Sequence, residues 1–144
     1  MVKLIVGNKG SGKTKILIEM VKEAANLSKG NVVCIEKGDA MRFDLNYRIR
    51  LIDIEEYRTY GSDAYYGFIA GLLAGNYDIT NIFGDATFKI LCGKDAKDFD
   101  LLADFVKKID ALVGDKGPAV TFTLSCDPKD LPESVHKYIM ELPS

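Results

Sequence analysis

Apolar and polar positions along this chain switch between two periods. The runs VKLIV (2–6), NVVCIE (31–36) and AVTFTLS (119–125) are short and almost continuously apolar. They predict strands buried on both faces, because a strand covered from each side keeps no polar face. YRIRLIDI (47–54) alternates in part and predicts a strand nearer an edge, and DITNIFGD (78–85) predicts a further one. Between them the spacing becomes helical. Ile16, Leu17, Met20, Val21, Ala24 and Leu27 predict a helix stopped by Gly30, and Phe99, Leu102, Val106, Ile109 and Leu112 predict another. Ser62 is placed to cap a helix over DAYYGFIAGLLAGN, whose Gly67, Gly71 and Gly75 form a smooth stripe that predicts close approach to a sheet. Pro132 looks like the first-turn proline of a last helix bearing Val135, Ile139 and Leu142.

Strands and helices in alternation predict an α/β fold, a three-layer α/β/α sandwich on a mostly parallel five-stranded sheet with right-handed crossovers. A length of 144 residues suits a single domain over 1–144. No repeat or linker interrupts it.

The stretch GNKGSGKT (residues 7–14) lies between the first strand and the first helix. Gly7, Gly12, Lys13 and Thr14 match GxxxxGK[ST] in full, in the strand-to-helix context that the pattern requires. Glycines at 7, 10 and 12 let backbone N–H groups turn inward around anionic oxygens, and the helix start adds unpaired N–H groups and the positive end of its dipole. Gly7, Asn8, Lys9, Gly10, Ser11, Gly12, Lys13, Thr14 and Lys15 are therefore the candidate phosphate-binding residues. Lys13 supplies a full charge to the outer phosphates, and the Thr14 hydroxyl is a candidate Mg²⁺ ligand.

On these residues the chain resembles the P-loop NTPase superfamily. The resemblance in fold spans nearly the whole chain, and the specific motif covers only residues 7–14. More narrowly it resembles short bacterial ATP-binding proteins sometimes labelled as similar to twitching-motility ATPases. The chain has no match to a motility motor's other motifs and is too short for its additional domain. The superfamily resemblance implies the P-loop NTPase fold, with ATP or another NTP and Mg²⁺ as ligands.

It also implies a carboxylate at another strand end for the metal. Asp85 in NIFGDA is preferred over Asp53, with Glu55 and Glu56 beside it, because the strand of Asp53 reads as an edge. Gly84 departs from the family pattern, in which a bulky apolar residue is commoner. No glutamate follows Asp85, so the candidate catalytic acid is Glu36. Its position, ending the strand after the first helix, resembles the RecA-type arrangement; an ordinary strand-end carboxylate paired with a cation is the competing account. Lys13, Glu36 and Asp85 form the candidate catalytic set. Ser125 can sense an outer phosphate or cap the following turn.

All four arginines (Arg42, Arg48, Arg50, Arg58) and five of seven tyrosines fall within residues 42–66. That stretch is a candidate surface for a protein partner or a second copy; charge protecting an edge strand also explains Arg48 and Arg50. The net charge of −2 disfavours a nucleic-acid partner. Cys34, Cys92 and Cys126 are widely spaced and odd in number, which predicts reduced thiols rather than a disulfide frame or zinc site. His136, the only histidine, reads as a surface residue. Neither a secretory leader nor a span is predicted, since the apolar part of the glycine-striped helix is about half of the roughly 20 residues needed, so the expected location is cytoplasmic.

The functional expectation is a small ATP-binding protein that acts as a slow ATPase and nucleotide-dependent switch. The alternatives are a small-molecule or nucleoside kinase, and a regulatory module that holds nucleotide without turnover.

Overall fold

A computed structural model describes residues 1–140, so Leu142 of the expected last helix lies outside the described residues. The elements run β1 (Val2–Gly7), α1 (Lys13–Leu27), β2 (Asn31–Glu36), β3 (Ile49–Asp53), α2 (Ser62–Gly75), β4 (Ile79–Gly84), α3 (Thr87–Cys92), α4 (Phe99–Val113) and β5 (Ala119–Ser125). The five strands form one sheet in the order β1-β5-β4-β2-β3, and every pairing is parallel.

The period of two in each strand divides its side chains between two faces. Leu4 and Val6 of β1, Val33 and Ile35 of β2, and Val120, Phe122 and Leu124 of β5 face a core shared with α2, α3 and α4. Ile5, Val32, Cys34 and Phe83 face the opposite way and pack against Leu17 and Val21 of α1. The sheet is thus flanked by helices on both faces. On the larger face Tyr65 of α2 stacks on Phe105 of α4 with centroids 5.2 Å apart, and Phe122 meets both rings. Each such fully buried apolar side chain stabilises the fold by about 1.5–3 kcal/mol, and α4 alone buries Leu102, Phe105, Val106 and Ile109.

Several expectations change. The glycine stripe of α2 points away from the sheet: Gly67, Gly71 and Gly75 are exposed, and a β-carbon added at any of them would meet nothing within 4 Å. Tyr65 and Ile69 take the inner face instead, because they bury far more apolar area than glycine does. Ser62 is the first helical residue, and Gly61, with φ +91°, precedes it as the cap. The short α3 was not anticipated; six residues carry too little periodicity to stand out. After Pro132 the chain forms a 3₁₀ turn over Glu133–Tyr138 rather than an α-helix. Ile139 then pairs in parallel with Leu4, and the Met140 N–H donates to the Leu4 carbonyl at 2.8 Å, covering the outer edge of β1. β3 is the opposite edge, as its pattern predicted.

No helix among the described residues is long and apolar enough to cross a membrane. Cys34 and Cys126 are buried free thiols and Cys92 is a half-buried one. His136 lies on the surface, with its Nε2 2.7 Å from the Leu131 carbonyl oxygen.

Candidate functional site

Because the strands are parallel, all of their C-terminal ends, with Gly7, Glu36, Asp53, Gly84 and Ser125, share one rim of the sheet. Ligands of such sheets sit outside this rim, where loops rather than packed backbone present their groups. A cavity of about 650 Å³ opens there between residues 9–15 and residues 85–97, with Thr123 and Ser125 at its floor.

The glycine-rich loop is held in a conformation that only glycine adopts cheaply at two positions, since Gly10 has φ +86° and Gly12 φ +88°. Gly7 answers a different demand: a β-carbon there would lie 2.5 Å from the Ser11 hydroxyl oxygen. The Ser11 N–H closes the turn on the Asn8 carbonyl at 3.0 Å. Lys13, the first residue of α1, is only 7% exposed. Its ammonium donates back across the loop to the Asn8 carbonyl at 3.1 Å and to the Ser11 hydroxyl at 3.4 Å. Burial lowers its affinity for the proton, and the nearby Asp85 carboxylate works in the opposite direction.

Asp85 is the junction of the rim. The Thr14 hydroxyl donates to its Oδ2 at 3.2 Å, and the Thr123 hydroxyl donates to its Oδ1 at 2.5 Å. Thr123 in turn accepts the Ala86 N–H at 3.1 Å, and the Asp85 N–H donates to the Ile35 carbonyl at 2.9 Å. Both the side chain and the backbone of Asp85 are therefore tied down by β5 and β2. The next residue, Ala86, sits at φ +53°, a left-handed conformation that costs a non-glycine residue of order 1–3 kcal/mol. Thr87 follows in the cavity wall, fully buried, with a hydroxyl that has no hydrogen-bond partner.

Compared with known protein families and with curated proteins, the chain matches none.

Of the two candidate carboxylates, Asp85 stands beside the glycine-rich loop and Asp53 does not. β4 is separated from β1 by β5 alone, whereas β3 is at the far edge. Asp53 is engaged elsewhere: its Oδ1 accepts the Gly38 N–H at 2.9 Å and the Glu55 N–H at 3.0 Å. Glu55 lies 4.0 Å from Lys37, and Glu56 is exposed.

Glu36 lies next to Asp85 across the β2–β4 pairing, where Ile35 is the partner of Gly84. It is buried and does not line the cavity. Its two carboxylate oxygens are 3.3 and 3.2 Å from the Met41 N–H, which donates to them from the short 3₁₀ turn Ala40–Phe43. Burial pushes its pKa above the usual carboxylate range, and the Met41 hydrogen bond offsets part of that rise.

Ser125 lines the cavity and is the register partner of Gly7. Lys9 and Lys15 are exposed on the cavity wall, whereas Asn8 contributes its carbonyl to Lys13. Sequence reasoning missed Thr123 and Thr87. Thr123 had a signal, since Thr121, Thr123 and Ser125 alternate with Val120, Phe122 and Leu124 and put three hydroxyls on one face of the strand. Thr87 carried none.

The Arg/Tyr-rich stretch divides. Tyr65 is fully buried, whereas Arg42, Arg48, Arg50, Arg58, Tyr47, Tyr57 and Tyr60 are exposed. Among the described residues, no three His, Cys, Asp or Glu side chains converge to hold a metal ion by themselves. Where α1 begins beside the end of β4, Thr14 offers a hydroxyl and Asp85 a carboxylate. That fits Mg²⁺, which takes oxygen ligands and keeps water and phosphate oxygens in its remaining positions.

Proposed function

We propose that the chain is a P-loop NTPase-like protein that binds a magnesium-loaded nucleoside triphosphate, ATP first among them, in the rim cavity. The observation that carries this reading is the contact of Thr14 with Asp85 directly beside Lys13 and the glycine-rich loop. A hydroxyl, a carboxylate, a lysine and a turn of glycines meet on one side of a cavity large enough for a nucleotide. In this reading Lys13 leaves its loop partners for the phosphates, and Thr14 and Asp85 hold the metal. When bound, Mg²⁺ neutralises charge on the phosphate oxygens. Thr123 keeps the Asp85 carboxylate in position, as outer partners of metal ligands do. Such a ligand belongs with a cytoplasmic protein.

We further propose slow hydrolysis coupled to a switch. Glu36 is bonded to Met41, whose turn also carries the exposed Arg42 and Phe43. A Glu36 carboxylate that turned toward attacking water would release that turn. The nucleotide state would then reach the Arg/Tyr-rich surface, where a protein partner or second copy could read it. One observation favours a module without turnover: Glu36 is held outside the cavity by the Met41 N–H.

Calorimetry with Mg²⁺ATP and Mg²⁺GTP, together with phosphate release, tests the proposal on wild type, Lys13→Ala and Glu36→Gln. Binding lost in Lys13→Ala, with release lost in both variants, supports the hydrolase. Binding without release supports the module, and release only as a phosphorylated acceptor supports a kinase. No association at millimolar nucleotide sinks all three.

A further inference from the structure

The sheet treats its two edges differently. Outside β1 the chain covers its own edge, with Ile139 paired to Leu4 and the Met140 N–H on the Leu4 carbonyl. Outside β3 no strand among the described residues pairs. β3 runs in unbroken register with β2 from Ile49 to Asp53, so about half of its backbone N–H and C=O groups point outward with no strand to meet them. Neither glycine nor proline occurs from residue 39 to residue 60, so nothing in this edge interrupts further pairing.

Charge and apolar surface gather along the same edge. A groove of about 580 Å³ runs beside the start of β3, lined by Arg42, Tyr47, Arg48, Arg50 and Leu51 among others and by no carboxylate. Arg42 is already bonded to Asp39 at 2.9 Å, whereas neither Arg48 nor Arg50 forms an ion pair among the described residues. The far end of the edge is acidic instead. Glu55 and Glu56 are exposed on the 3₁₀ turn Ile54–Tyr57, Glu55 loosely paired with Lys37 at 4.0 Å, with Arg58 beyond them. Eight large apolar side chains are exposed among the described residues, and four of them flank β3: Phe43 and Tyr47 before it, Tyr57 and Tyr60 after it. Edge charges keep strands apart when the arriving strand brings the same sign. A second β3 running in the reverse direction brings the opposite one.

We infer that β3 pairs antiparallel with β3 of a second copy about a two-fold axis, joining two five-stranded sheets into one. Ile52 is midway between Arg48 and Glu56, so a copy registered on Ile52 sets Arg48 and Arg50 of each chain against Glu55 and Glu56 of the other. Main-chain hydrogen bonds supply the pairing, the charges fix its direction, and the flanking aromatic side chains supply apolar area at both ends. An acidic segment of another protein would match Arg48 and Arg50 but would set like charge against Glu55 and Glu56. The inference chooses the occupant of the surface named in the switch reading, and it stands whether or not nucleotide binds.

The test is sedimentation equilibrium of the full chain, without nucleotide, between roughly 1 and 500 µM. It compares wild type, Arg48→Glu/Arg50→Glu, Glu55→Arg/Glu56→Arg, an equimolar mixture of those two variants, and Tyr77→Ser, whose exposed ring precedes β4 at the other end of the strands. Wild type is expected to dimerise, and each reversed variant alone to associate roughly tenfold more weakly or worse. Their mixture should form a heterodimer, because one chain then presents an acidic edge and the other a basic one. Tyr77→Ser should match wild type. Amide exchange in β3 of wild type should slow as concentration rises, a readout that needs no variant. A wild type that stays monomeric, reversed variants that dimerise as tightly as wild type, a mixture that does not associate, or β3 amides indifferent to concentration each overturn the inference. None of these outcomes touches the nucleotide reading, and calorimetry that finds no nucleotide binding leaves the dimer standing.

Discussion

Tyr65 and Gly84 share one volume: a β-carbon at position 84 would lie 2.6 Å from the Tyr65 hydroxyl oxygen and 2.8 Å from a ring carbon of Phe122. The glycine before Asp85 is thus the counterpart of a large side chain arriving from α2, which fills the space that a bulky residue on β4 would take. The Tyr65 hydroxyl is fully buried without a hydrogen-bond partner. Gly84→Ala is expected to destabilise by about 1–3 kcal/mol through overpacking. Tyr65→Phe should be neutral or stabilising, since it removes an unsatisfied polar atom. In a double-mutant cycle by urea denaturation, Tyr65→Phe should recover part of the Gly84→Ala loss; strict additivity would refute the shared volume.

The outward glycines of α2 make a prediction of opposite sign. Gly67→Ala and Gly71→Ala add a methyl group into open space on a helix interior. Each should stabilise by about 0.5–1 kcal/mol, because alanine loses less backbone entropy on folding. Thermal unfolding checks this, and destabilisation by either would contradict the exposed placement.

Lys13 illustrates a conflict between stability and binding. Its side chain is largely buried, at a desolvation cost that the nearby Asp85 carboxylate offsets only in part. Lys13→Met is expected to unfold at the same or a higher temperature than wild type without nucleotide. Millimolar Mg²⁺ATP should raise the midpoint of wild type only. An equal upward shift in the variant would remove Lys13 from the site.

Thr123 is predicted to matter for the metal although it is not a ligand in the proposal. Thr123→Val removes the hydroxyl that donates to Asp85 and accepts from Ala86. Mg²⁺-dependent nucleotide affinity should fall by roughly 10–100-fold, the usual effect of losing an outer partner, with a far smaller change when EDTA is present. Equal losses with and without Mg²⁺ would assign Thr123 to general stability.

Glu36 sets the pH dependence. Its pKa is raised in the folded protein, chiefly by burial, from an ordinary value of 4.5. The folded state therefore holds this proton more tightly than the unfolded chain. The stability it contributes is complete below 4.5 and is lost as pH rises through the higher folded value. Glu36→Gln cannot titrate, so wild type should lose stability relative to the variant across that window. Urea midpoints of the two proteins at roughly pH 4 to 8 provide the measurement, and parallel curves would refute a raised pKa.

Local pattern determined much of this molecule by itself. All five strands, the three long helices and the glycine-rich turn at residues 7–14 were legible because each depends on near-neighbour periodicity or on backbone freedom at named glycines. Tertiary structure decided the rest. The edge position of the strand of Asp53 was legible in its partial alternation, but the contact of Asp85 with Thr14 depends on the full strand order, which follows from long crossovers. The stripe of Gly67, Gly71 and Gly75 was visible, but whether it faced inward was not, since a repeat of four marks a helix face without giving its direction. Thr123 meets Asp85 through the pairing of segments 38 residues apart in the chain, and that is where local sequence carries the least information.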